Sequence, residues 1–158
     1  MERVDRICRH PLWRRCLAVI AEQEQNRPYC RHNIAHLTDV ARLAWIENLE
    51  RGLGVPGALI YAAALVHDLG RAGTDGSAHE QAGLAPAREI LDGCGFTPSE
   101  RDAVLEAVSR HRDPETARHD NLAGLLYRAD KASRLCLFCP SEPDCNWTAD
   151  RKNLVFRR

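Results

Sequence analysis

Apolar positions recur at intervals of three and four along nearly the whole chain, and no segment sustains the two-residue alternation of a strand. The spacing predicts a helix over about 12–25, with Leu12, Cys16, Val19 and Ile20 on one stripe. A second is predicted over about 29–53, where Ile34, Leu37, Val40, Ala41, Ala44, Trp45 and Leu49 share a face and Gly52 and Gly54 end the run. Pro56 suits the first turn of a third helix, about 56–69, which is apolar nearly all round and is therefore expected at the centre. A polar loop, RAGTDGSA, leads to a helix over about 79–91, stopped by Gly93 and Gly95. Thr97-Pro98-Ser99-Glu100 is a capping box that starts the next, running to about 111. Asp120 or Asn121 can cap a last long helix to about 135. Beyond it the period is lost among Cys, Pro and Asp.

These elements predict an all-α fold: a helical bundle over 1–135, with its core at 29–134. A short irregular Cys-rich segment, 136–158, is expected to pack on the same domain. At 158 residues the chain is long enough to bury a core without staples. Its 22 basic and 22 acidic side chains cancel, so it lacks the overall basic field that drives nucleic-acid binding, and RKNLVFRR is too short to change that. The longest apolar run, ALIYAAALV, is about half of what a bilayer requires. MERVDRICRH carries charges where a signal peptide needs its apolar stretch. The expectation is a soluble, cytoplasmic protein.

Candidate chemistry lies along the helices. His36 falls mid-helix among apolar residues, His67 and Asp68 close the central helix, His79 opens the next, His111 ends the one after and Asp130 lies inside the last. Each has an ordinary reading alone: a hydrogen-bonded core histidine, a cap, a paired surface acid. Asp68 resists it most, because a carboxylate near a helix C-terminus opposes the dipole. One metal centre in the bundle core accounts for all six, and imidazole with carboxylate suits Fe, Mn or Zn better than Ca or Mg.

The order His36, then His67-Asp68, then Asp130 resembles the H…HD…D signature of the HD-domain metal-dependent phosphohydrolases, an all-α superfamily. HNIAHLTDVARLA, AALVHDLGR and LLYRADKASR fit around the ligands. His79 and His111 resemble the two additional histidines of members that hold two metals, and the layout is similar to bacterial diadenosine tetraphosphate hydrolases of this superfamily. Arg71 departs from the Lys that many relatives carry. The resemblance implies a phosphohydrolase of a nucleotide or other phosphate ester or anhydride. His36, His67, Asp68 and Asp130 would hold a first ion, Asp68 could bridge, and His79 with His111 would complete a second. His67, Asp68, Arg71 and Lys131 would be catalytic. His32, Arg71, Arg112, Lys131 and Arg134 are candidates for substrate phosphate, with Arg27 and Arg31 weaker ones. Two other classes share such ligand sets: a di-iron oxygenase of the HD type, and a non-enzymatic metal or iron–sulfur sensor or adaptor.

Seven cysteines are unusual for a cytoplasmic chain, and an odd number argues against a complete disulfide framework. Cys136, Cys139 and Cys145 form Cys-x2-Cys-x5-Cys just after the last helix. A closed Zn or Fe–S site there needs a fourth ligand, for which Cys30 is the best donor and Cys8 and Cys16 are alternatives. Reduced structural or reactive thiols are the competing reading. Nothing in the sequence reads a base, a sugar or a diester.

Overall fold

A helix with no polar face has nothing to offer water and must be surrounded. In the computed structural model, which describes residues 1–74 and 78–155, the fold arranges itself accordingly. The helices are α1 (Glu2–Arg9), α2 (Pro11–Gln23), α3 (Ile34–Glu50), α4 (Gly57–Val66), α5 (His79–Ala82), α6 (Leu84–Gly93), α7 (Pro98–Arg110) and α8 (Leu122–Ala132). Short 3₁₀ turns occupy Leu69–Gly73, Pro114–Arg118 and Cys136–Phe138. There is no strand among the described residues, and the fold is all-α as expected. No helix of the described residues is long and apolar enough to cross a membrane.

The central element is α4. Ile60, Ala62, Ala63, Ala64, Leu65 and Val66 are buried, and α1, α3, α7 and α8 pack around it. Three successive alanines keep its girth small, so that neighbours can approach from every side. Trp13 of α2 donates its indole N–H to the Leu65 carbonyl at 2.8 Å, which meets one of the acceptors left open at the end of α4. Leu37, Val40, Ala41 and Ala44 from α3 and Leu125, Leu126 and Ala129 from α8 complete the core next to the ligand-bearing end.

The element boundaries differ from the periodicity in instructive places. α1 was not expected, because ERVDRICR is mostly charged; only Val4 and Ile7, one turn apart, are buried, and docking against α4 holds it. α3 starts at Ile34, not at 29, because the Asn33 side chain caps it by accepting from His36 N–H at 3.1 Å. That leaves Cys30 and His32 in the preceding loop. α4 stops at Val66, so that His67 is its C-cap and Asp68 lies just beyond the helix. The polar loop begins as a 3₁₀ turn through Gly73, and 75–77 lie outside the described residues. The helix expected over 79–91 is broken at Gly83 into α5 and α6. Gly70 packs directly against this junction: a Cβ there would meet Gly83 N at 2.5 Å and the His79 carbonyl oxygen closer still. The two backbones touch because neither residue has a side chain in the way.

Asn121, rather than Asp120, caps α8 by accepting from Gly124 N–H at 3.1 Å. The C-terminal segment folds back along the end of α8. Asn153 donates to the Lys131 and Arg134 carbonyls at 2.8 and 2.9 Å, and Leu137 N–H donates to the Asn153 carbonyl at 3.1 Å. Residues 156–158 of the basic terminus lie outside the described residues.

The capping box of α7 forms as the sequence indicates, and Glu100 has a second task. Its carboxylate receives Arg3 of α1 at 2.5 and 2.9 Å as well as Thr97 N–H at 2.9 Å. The Arg3 and Thr97 hydrogen bonds lower its pKa from 4.5 to about 2. A depressed folded pKa contributes stability above the unfolded value, lost as pH falls through the folded one. Glu100→Gln should therefore lower the Tm at pH 7, and the gap from wild type should close between about pH 4.5 and pH 2 in thermal melts.

Candidate metal centre

The C-terminal end of a helix leaves carbonyl oxygens without intrahelical donors. Two histidines here exploit that. His67, the C-cap of α4, donates Nδ1–H to the Ala64 carbonyl at 2.8 Å, and His111, the C-cap of α7, donates Nδ1–H to the Val108 carbonyl at 2.6 Å. A carbonyl can only accept, so Nδ1 carries a proton in both rings and Nε2 faces inward. His36 reaches the same state by another route. Ser133 Oγ donates to the Asp130 carbonyl at 2.8 Å, so its oxygen is left to accept from His36 Nδ1 at 3.1 Å. An Nδ1–H held by the protein with Nε2 turned inward is how a histidine is oriented for a metal.

The inward nitrogens converge on Asp68. One carboxylate oxygen, Oδ2, lies 3.3 Å from His36 Nε2 and 3.0 Å from His67 Nε2. The other, Oδ1, lies 3.1 Å from His79 Nε2 and 2.9 Å from Arg71 Nε. His79 and His111 bring their Nε2 atoms to 3.1 Å. Asp130 Oδ1 sits 3.4 Å from His36 Nε2 and 3.7 Å from His67 Nε2. Two groups of ligand atoms are each compact enough for one ion: His36, His67 and Asp68, and Asp68, His79 and His111. Asp68 belongs to both. All six residues are buried.

Electrostatics and satisfaction both fit a cation. Among the described residues, His67 Nε2 and Asp68 Oδ2 are buried without a hydrogen-bond partner, a costly condition that a coordinated ion would relieve. Burial works against charge on His67, but Asp68 and Asp130 outweigh it and raise its pKa to about 10. The same field that holds an imidazolium there would hold a metal cation. Burial also opposes ionisation of Asp68 and Asp130. Asp68 is nevertheless held well below the usual range by the charge of His67 and by His36 and His79, and Asp130 by His67, Lys131 and Arg134. Burial, aided by Arg134 and His67, lowers His36 to about 4, and burial with His67 lowers His111 to about 3, so both are neutral ligands at pH 7.

Residues 33–135 match the HD domain family. The chain belongs to the HD-domain family. A protein of Clostridium beijerinckii, itself of uncharacterized function, is 39% identical over 132 residues, 82% of each chain. No solved structure matches. The HD family is generally one of metal-dependent phosphohydrolases, and the His and Asp groups of this chain could hold a divalent metal.

Above the centre of this HD domain is a cavity of about 470 Å³. Of the phosphate candidates, His32, Arg71, Arg112, Lys131 and Arg134 all line it, as does Arg27, whereas Arg31 does not and instead donates to the Gln25 carbonyl at 3.0 Å. Their surroundings differ. Arg134 is buried, 3.3 Å from Asp130 Oδ1 and 3.4 Å from His36 Nε2, and so supports ligands as much as it faces the cavity. Lys131 Nζ lies 2.5 Å from Asp130 Oδ2. Arg112 is half exposed and pairs with Glu80 at 3.2 Å. His32 is buried, not an exposed histidine, because Glu24 grips its Nδ1 at 2.6 Å and its backbone N–H at 2.7 Å.

Sequence reasoning missed Ser133 and Glu24, the two residues that orient His36 and His32. It also missed the cavity residues Tyr127, Trp147, Arg151 and Lys152. Ser133 lies three residues after Asp130, one helical turn on, which was the available signal. Glu24 had none, because nothing local links it to residue 32.

Ser133→Ala should weaken metal binding or activity by about 10–100-fold, the usual loss for a residue that orients a ligand, with unchanged helical circular dichroism; metal titration measures it. Gly70→Ala should destabilise the chain by about 1–3 kcal/mol or more in denaturant unfolding, because its Cβ would push α5, and His79 with it, away from Asp68.

Proposed function

We propose that the chain is a metal-dependent phosphohydrolase acting on a small phosphate ester or anhydride, with a nucleotide as the best-fitting substrate. The observation that carries this reading is Asp68, shared between two histidine groups at the base of a cavity whose walls are rich in cations and aromatic rings. His36, His67, Asp68 and Asp130 suit a first ion and Asp68, His79 and His111 a second, Fe, Mn or Zn by donor chemistry. Bound there, such ions would lower the pKa of coordinated water toward neutrality and neutralise phosphate oxygens.

The chain's own groups supply binding and orientation. Arg71 engages Asp68 through Nε, which leaves the two terminal nitrogens of its guanidinium for phosphoryl oxygens in a fork geometry. Lys131 and Arg134 brace Asp130 from the side and add positive charge where an anion would enter. Arg112, at the exposed rim, is placed to meet a distal phosphate. Tyr29, Tyr127 and Trp147 also line the cavity, and Lys131 Nζ lies 5.1 Å from the Tyr127 ring centroid. Such rings offer flat apolar surface to a nucleobase, while the cations select its phosphates.

The test is a hydrolysis screen of nucleotides, phosphomonoesters and phosphodiesters with the chain loaded in turn with Fe, Mn and Zn. Asp68→Asn and His67→Ala should each lose more than about 100-fold in kcat/KM, beyond the effect of a ligand-orienting residue, with the helical content retained. Variants as active as wild type would remove the centre from the reaction. Turnover that requires dioxygen would reassign the chain as an HD-type oxygenase. Full metal occupancy with no phosphate released from any substrate would make it a sensor or adaptor.

A further inference from the structure

Four of the seven cysteines converge on one wall of the cavity. Cys30 comes from the loop before α3, and Cys136, Cys139 and Cys145 follow α8. The other three take no part: Cys16 and Cys94 are buried in the hydrophobic core and Cys8 packs against it, which removes Cys8 and Cys16 as alternative partners for the C-terminal thiols. Core burial accounts for those three. It does not account for four thiols facing a polar cavity.

The backbone is built to bring these four together. Cys139 N–H donates to the Cys136 carbonyl at 3.1 Å, Glu142 N–H to the Cys139 carbonyl at 3.0 Å and Cys145 N–H to the Glu142 carbonyl at 3.2 Å, so that successive tight turns hold the three C-terminal cysteines in one compact coil. Two bonds then lace this coil to the loop that carries Cys30. Ser141 Oγ donates to the Pro28 carbonyl at 2.6 Å, and the Tyr29 hydroxyl to the Asp144 carbonyl at 3.3 Å. The Cys30 thiol feels Cys136 and Cys139 as neighbours. Arg27, Arg134 and Lys152 share the wall, and Arg27 Nε donates to the Cys30 carbonyl at 3.0 Å.

We propose that Cys30, Cys136, Cys139 and Cys145 hold a [4Fe–4S] cluster, at a site separate from the His and Asp centre. Spacing decides against a single zinc ion. Four sulfurs at about 2.3 Å from one tetrahedral zinc must lie within roughly 3.8 Å of one another. Among the described residues no three thiols gather within 4.8 Å, although both His and Asp groups do. A cubane takes one thiolate at each of four separate irons and so spreads its ligands more widely. An all-cysteine donor set is also the usual one for such clusters.

The proposal is independent of the hydrolase reading, and the test keeps them apart. The full chain in a His67→Ala background, which weakens the His and Asp centre, is reconstituted anaerobically with ferric and ferrous iron in equal amounts and sulfide. Expected are broad visible absorption that bleaches on reduction, and iron and acid-labile sulfide in equal amounts. Cys30→Ser, Cys139→Ser and Cys145→Ser should each lose the chromophore while helical circular dichroism stays, and Cys8→Ser should keep it. Uptake of one zinc ion with no iron or sulfide would overturn the assignment. So would a folded chain that stays colourless, or a Cys30→Ser variant that loads like its parent.

Discussion

A carboxylate buried at the foot of an apolar helix is the constraint around which this molecule is organised. Asp68 is only 3% exposed, and an uncompensated charge in such a place costs several kcal/mol. Compensation comes from four directions: His36 from α3, His67 from its own turn, His79 from α5 and Arg71 from the 3₁₀ turn that follows. The elements packed around α4 are thus held by apolar burial on one side and by a shared charge on the other. Folding and the capacity to hold a metal ion draw on the same contacts.

The precision of the centre comes from helix ends more than from helix faces. A histidine at a C-cap can satisfy an open carbonyl one turn back, and doing so locks its tautomer and its aim at once. His67 and His111 both use this device, on α4 and α7. His36 cannot, because it lies in the first turn of α3, where the carbonyls are already committed; Ser133 of the neighbouring α8 cap supplies the acceptor in its place. Backbone carbonyls and Ser133 therefore decide which way three imidazoles turn Nε2, His36 and His67 toward one ligand group and His111 toward the other.

The C-terminal segment changes the character of the cavity. The helical bundle alone would offer a His and Asp floor with a few cations. The returning tail adds Trp147, Arg151 and Lys152, and with Cys30 it adds a wall of thiols. Hard oxygen and imidazole donors and soft sulfur donors then line one space, held apart by the order in which the backbone delivers them. The hydrogen bonds of Asn153 tie the tail to the end of α8.

Much of this could be read from the chain, for a definite reason. Helical period, capping residues and the His67-Asp68 pair are local signals, and local signals survive in a sequence. The central position of α4 followed from its lack of a polar face, and the start of α7 from its capping box. Even there, boundaries moved where a side chain captured the backbone, as Asn33 does at the start of α3. α1 was invisible because two buried residues among charges become a helix face only against α4. Tertiary structure alone decided that both histidine groups share Asp68 and that Ser133 and Glu24 set two rings; the sequence favours Cys30 beside the C-terminal thiols, and the packing of Cys8 and Cys16 with the core removes the alternatives. Most of these join side chains far apart in sequence, and even Glu24 and His32, eight residues apart, meet across a loop. Whether they meet depends on how closely backbones approach, and at Gly70 that distance is set by the absence of a single methyl group.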